Sequence, residues 1–218
     1  MKLKALAAVF ALAIATTAVP ARAAFIMDVV EVGSDIVITG SGTIDLTLWS
    51  FDCPFCHIGA GGAIGTLSGG NDIIAVSVGA GPNGTPLDGY VLDSPKLSGP
   101  TSAGPLLNPT AGTSGSGDII IWNFDGFFAD GLLGSTEQGM LLLPDGYSSG
   151  ASLFGSATIA GASLASLGVT PGSFVWSWGS GSTADSITLN IVPEPSTALL
   201  ICTGLLGLAW SGRHRNAA

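Results

Sequence analysis

The sequence predicts an all-β protein. Its body reads as an antiparallel β-sandwich or jelly-roll-like domain, between an N-terminal signal peptide and a short C-terminal membrane helix. Three observations carry this expectation. Short runs rich in Val, Ile, Thr and aromatic residues recur along the chain. Gly, Asn, Asp, Ser and Pro fill the gaps between them, as turn chemistry requires. No stretch of the body carries an apolar stripe of period 3.6 over three turns, so sheets must pack on sheets.

The elements follow in order. Residues 1–23 form the expected signal peptide: Lys2 and Lys4 supply the positive start, residues 5–15 are apolar, and Ala21-Arg22-Ala23 is the small-x-small pattern. Signal peptidase is expected to cut between Ala23 and Ala24. The body, 24–192, is read as one domain with strands at 25–31, 35–39, 43–49, 72–78, 118–124, 140–143, 153–159, 173–178 and 186–192. Within 43–49, Asp45, Thr47 and Trp49 alternate with Ile44, Leu46 and Leu48, the pattern of a half-buried strand. Residues 79–117 are rich in Gly, Pro, Ser and Thr and read as long loops. Phe174, Trp176 and Trp178 share one strand face, and the strand of Ile187, Leu189 and Ile191 follows them as a C-terminal hairpin. Two Asp-Gly-Tyr triplets, at 88–90 and 145–147, read as turns. Residues 193–218 close the chain in three parts: Pro193-Glu194-Pro195, an apolar run at 197–210, and Arg213-His214-Arg215. The apolar run has about 14 residues, against roughly 20 for a comfortable bilayer span. Its basic end would stay on the cytoplasmic side.

Composition excludes several function classes. Charged residues make up 10% of the chain, far below the roughly 25% of average domains. The apolar fraction of 47% is enough to bury a core, which excludes simple disorder. The terminal segments take all basic residues except Lys96. The body therefore sets fourteen acids against one lysine, a net charge of −13. Such a body has no basic face for nucleic acid or an anionic membrane surface. The acidic surface is expected to be plainly solvated.

The three-part C-terminus resembles the PEP-CTERM protein-sorting signal, through Pro193-Glu194-Pro195, the hydrophobic segment and the terminal basic cluster. The resemblance implies recognition and cleavage near the motif by an exosortase. It further implies export, transient residence in the inner membrane, and an end point at the cell surface or in extracellular polysaccharide. Residues 144–191 also resemble the C-terminal part of a recurrent PEP-CTERM protein type with no assigned biochemical function. That likeness rests on Leu143-Pro144-Asp145-Gly146-Tyr147, Ser166-Leu167-Gly168, Thr170-Pro171-Gly172 and Trp176-Ser177-Trp178-Gly179-Ser180-Gly181.

Few residues suggest chemistry. Cys53-Pro54-Phe55-Cys56-His57 has the Cys-x-x-Cys-His spacing of covalent c-type haem attachment, with His57 as iron ligand. In an oxidising compartment the expected state is a local Cys53–Cys56 disulfide. Neither a zinc site nor a calcium loop is expected. Gly146-Tyr147-Ser148-Ser149-Gly150 fits the Gly-x-Ser-x-Gly nucleophile pattern, but no helix is expected after it and a turn is the better reading. Phe174, Trp176 and Trp178 would form a sugar-stacking platform if exposed and a core if buried. Burial is the expected state; Trp122, Phe124, Phe127 and Phe128 form a second cluster open to the same two readings. The expectation is a non-enzymatic exported protein without cofactor, structural or adhesive in extracellular polysaccharide. A carbohydrate-binding module and an exported enzyme or haem protein are the alternatives.

Overall fold

The computed structural model describes residues 24–57, 63–64, 66–68, 75–82, 85–92, 97–106, 110–123 and 139–194, with backbone only over 51–75. The expected signal peptide and the apolar tail lie outside these residues. No helix among the described residues is long and apolar enough to cross a membrane.

The strands in chain order are β1 (Ala24–Val32), β2 (Asp35–Thr43), β3 (Trp49–His57), β4 (Ala63–Ile64), β5 (Thr66–Ser68), β6 (Ala75–Val78), β7 (Ala80–Gly81) and β8 (Pro86–Leu92). There follow β9 (Thr110–Ala111), β10 (Ser114–Gly117), β11 (Ile120–Asn123), β12 (Met140–Pro144), β13 (Ser152–Ile159), β14 (Gly172–Trp178) and β15 (Asp185–Val192). One helical turn, α1 (Leu164–Leu167), sits between β13 and β14. Ser163 and Ser166 cap its start reciprocally, and Gly168 ends it at φ 71°.

Two large sheets result. A six-stranded sheet runs β10-β13-β2-β1-β15-β14, and a seven-stranded sheet runs β3-β8-β12-β11-β6-β5-β9. They share one hydrophobic core that reaches from Phe25 to Ile191 and draws on both sheets. Alternation does the sorting: Phe25, Met27 and Val29 of β1 are buried, whereas Ile26 and Val32 are exposed. Four tryptophans fill the centre. Trp49 meets Trp178 edge-on at 5.2 Å and Trp122 at 6.0 Å, and Trp122 meets Trp176 at 6.2 Å. The Trp176 indole donates to Pro100 O at 2.7 Å. The buried indole nitrogens of Trp49 and Trp178 find no acceptor among the described residues.

Glycine lets the chain approach itself closely in this core. Gly40 of β2 and Gly155 of β13 are cross-strand partners. A Cβ on Gly40 would lie 2.8 Å from Phe25 and Val78, and one on Gly155 would strike the Asp118 carbonyl. The high glycine content is thus partly a packing requirement.

Several sequence expectations change. The pairing is not wholly antiparallel, because β1 and β15 run parallel from Ala24↔Ser186 to Val30↔Val192. These are the first and last strands, so no short connection constrains their direction. The expected strand at 43–49 is a connection over 44–48 instead, between the end of β2 and the start of β3: Asp45 Oδ1 accepts from the Thr47 amide at 2.8 Å, and Trp49 N donates to Leu46 O at 3.0 Å. A local Asx turn outcompetes the alternating pattern there. Within 79–117, read as loops, β8 is a buried seven-residue strand. It carries the first Asp-Gly-Tyr triplet, so only the second is a turn.

Candidate binding face and sorting terminus

The parallel β1–β15 pair gives the body two distinct poles. β15 ends at Val192, with Pro193 and Glu194 exposed directly after it. Glu194 Oε1 accepts from Gly33 N at 3.4 Å, which leans the start of Pro193-Glu194-Pro195 on the β1–β2 turn. Pro195 lies outside the described residues. Ala24, after the expected signal cleavage between Ala23 and Ala24, starts β1 at the opposite pole; Ala21 and Ala23 are outside the described residues.

Three loops meet at the Ala24 pole: 44–48, 145–151 and 179–184. Gly146 has φ 71°, and Tyr147 N donates to Pro144 O at 3.0 Å, closing the Pro-Asp-Gly-Tyr turn. Asp88 Oδ2 accepts from Gly146 N at 2.8 Å, so the two Asp-Gly-Tyr triplets touch. The Tyr147 hydroxyl accepts from Ile44 N at 3.1 Å and donates to Ala151 O at 2.8 Å. Ser149 Oγ accepts from Leu46 N at 2.9 Å and donates to Asp45 Oδ1 at 3.1 Å. Buried Asp185 accepts from Asp45 N at 2.7 Å and from Ser186 N at 2.6 Å. Burial pushes the Asp185 carboxyl up, against these two amides and with help from the Asp45 charge. The side chain and amide of Thr47 hold the Asp45 carboxyl below its ordinary value. These groups are engaged in binding loop to loop. Ser148, the centre of the Gly-x-Ser-x-Gly pattern, closes a turn to Ala151 N at 2.9 Å, and strand β13 follows it rather than a helix.

The β14 tryptophans are buried as expected, and the alternative sugar platform does not form. Trp176 and Trp178 are buried at 0% and 3% exposure, and Phe174 is half-buried, stacked 6.5 Å from Trp176. The alternation of β14 turns the other set outward: Ser173, Val175 and Ser177. Trp122 is buried too, while Phe124, Phe127 and Phe128 lie outside the described residues.

That outward set belongs to a face that sequence reasoning missed. The register aligns Val175, Thr188, Ile26, Ser41 and Phe154 in one row across five strands of the six-stranded sheet. Val175, Ile26 and Phe154 are 49%, 43% and 57% exposed. The adjacent row is polar and cross-linked: Ser173 Oγ donates to Asn190 Oδ1 at 2.8 Å, and Asn190 Nδ2 donates to Asp28 Oδ1 at 2.9 Å. The next row holds Val192, Val30 and Val37. Each strand shows only alternation; the lateral alignment comes from the register. The described residues contain no lysine or arginine.

Cys53, Cys56 and His57 lie on β3, an edge strand described by its backbone. Cys53 pairs with Gly89, Cys56 with Leu87 and His57 with Pro86, with register shifts after Phe51 and after Cys53. Three steps on β3 thus match two on β8, a bulge that contains Pro54. Among the described residues, no cluster of three His, Cys, Asp or Glu could hold a metal. An open groove of about 340 Å³ beside Pro82, Pro86 and Pro144 has its Asp118 turned to the chain itself, accepting from Phe154 N at 2.9 Å.

Residues 192–215 match the PEP-CTERM protein-sorting motif. No curated protein and no solved structure matches the chain significantly.

Proposed function

We infer that this chain, whose PEP-CTERM sorting motif begins where its last described strand ends, is a structural or adhesive protein that an exosortase sorts to the cell surface or extracellular polymer. The motif itself implies export and membrane-associated processing by an exosortase. One observation carries the reading: the match begins at Val192, the last residue of β15, so the sorting signal is continuous with the folded body. Cleavage near the motif would release the body with its sheet intact. The two sheets over a common core fit a sandwich, a rigid form for display. The adhesive role draws support from the laced loops, whose carboxylates and hydroxyls serve the backbone, and from the broad outward sheet face. No cofactor is part of the proposal. The oxidising compartment that export implies supports a local Cys53–Cys56 disulfide.

Intact mass of the protein from its native host tests this reading. We expect an N-terminus at Ala24, loss of the segment beyond the motif, and a two-hydrogen deficit for the disulfide. Replacing Pro193-Glu194-Pro195 by alanines should leave the tail uncut. Unchanged processing of that variant would refute sorting through the motif, and added mass equal to a haem at Cys53, Cys56 and His57 would replace the adhesive reading by electron transfer.

A further inference from the structure

We propose that the outer face of the six-stranded sheet is a docking surface for an uncharged polysaccharide lying flat across the strands. The proposal deepens the adhesive reading and rests on it for its setting. In the first row, Val175, Ile26 and Phe154 stand on alternate strands with the hydroxyls of Thr188 and Ser41 between them. With strands about 4.8 Å apart, apolar and hydroxyl positions alternate across a width of roughly 19 Å. Rows on one face follow each other at about 7 Å, so the polar row of Ser173, Asn190 and Asp28 lies between two apolar rows. Pyranose rings present apolar C–H faces and a rim of hydroxyls, the same two kinds of surface at the same scale. Phe154 is the aromatic member, and its backbone is clamped: Phe154 N donates to Asp118 Oδ2 at 2.9 Å and Asp118 N to Phe154 O at 2.7 Å. A platform fixed in advance has little ordering entropy to lose on binding.

Charge selects the occupant. The body carries −13, and Asp28 is the one carboxylate in the middle of this face. An anionic glycan would be repelled. A second copy packed face to face would desolvate two Asp28 carboxylates with no described cation to pair them. A neutral polyhydroxylated partner supplies hydroxyl donors to Asp28 instead.

The test uses the full chain purified from exporting cells, mixed with microcrystalline cellulose, with agarose and with alginate gel, and followed by depletion from solution. We expect retention on the neutral probes about tenfold above that on alginate. The exposed-site variants Phe154→Ser, Ile26→Thr and Val175→Thr should keep the circular dichroism and melting temperature of the parent and lose several-fold in retention. Ala165→Ser, on α1 and away from the face, should lose nothing. Absence of retention on both neutral probes, equal retention by the face variants, or preference for alginate would overturn the proposal. Sedimentation showing a dimer that the same variants dissociate would assign the face to a second copy and overturn it as well. An uncut tail on the parent chain, or unchanged processing of the motif variant, would refute sorting without touching this measurement.

Discussion

At the scale of single residues, the pole away from the sorting motif depends on two side chains. The Tyr147 hydroxyl satisfies a backbone amide and a backbone carbonyl on two different loops. Tyr147→Phe leaves Ile44 N without its acceptor, and should cost about 1–3 kcal/mol in urea denaturation. Asp185 titrates with an opposite sense to most native carboxylates. Its raised value means that the folded state holds a proton there more readily than the unfolded chain. Its contribution to stability is therefore full in acid and is lost as pH rises through the raised value. Asp45, held low, contributes above its ordinary value and loses that contribution as pH falls through the lowered one. Asp185→Asn cannot accept from both Asp45 N and Ser186 N. Its penalty relative to the parent should be largest in acid and shrink as pH rises, read as urea midpoints between about pH 3 and 7.

At the scale of elements, the contact between β13 and the strands beneath it is set by missing side chains. Gly155 faces the Asp118 carbonyl and the Gly79 amide at a separation that leaves no room for a Cβ. Gly155→Val should destabilise by more than about 3 kcal/mol, or prevent folding. Gly161 has φ 69°, and a Cβ placed there would meet nothing within 4 Å. Gly161→Ala should cost only about 1 kcal/mol, from backbone strain alone. The pair, compared by thermal melting, separates close approach from conformational freedom. The edge strand β3 shows a different device: a bulge and Pro54 interrupt an edge that would otherwise invite pairing with other chains.

At the scale of the whole molecule, one lysine against fourteen acids leaves the body self-repelling. Stability should rise with ionic strength, because screening shortens the range of repulsion to about 8 Å at 0.15 M salt and 3 Å at 1 M. Urea midpoints in low and high sodium chloride would check this; a midpoint that falls with salt would point to attractive pairs. The fold meets the shortage of cations by holding together through its shared core and hydrogen bonds. The parallel closure of β1 on β15 places the sorting motif at one pole and the laced loops at the other.

Local chemistry made much of this protein legible in its sequence. Alternation identified β1, β2, β13, β14 and β15, because a period of two depends only on neighbours along the chain. The sorting motif was readable for the same reason, being contiguous. Residues 44–48 and β8 were misread, since an Asx turn and burial in a sheet centre override the local pattern of Leu and Gly. The tryptophans of β14 could be assigned to one face with burial as the expectation, although alternation alone does not say which face is inside. Tertiary structure decided that, by seating Trp176 and Trp178 against Trp122 and Trp49. It also aligned Val175, Ile26 and Phe154 into one surface row. They are separated by up to about 150 positions in the chain, and only cross-strand register, a property of paired backbones, brings such distant residues side by side.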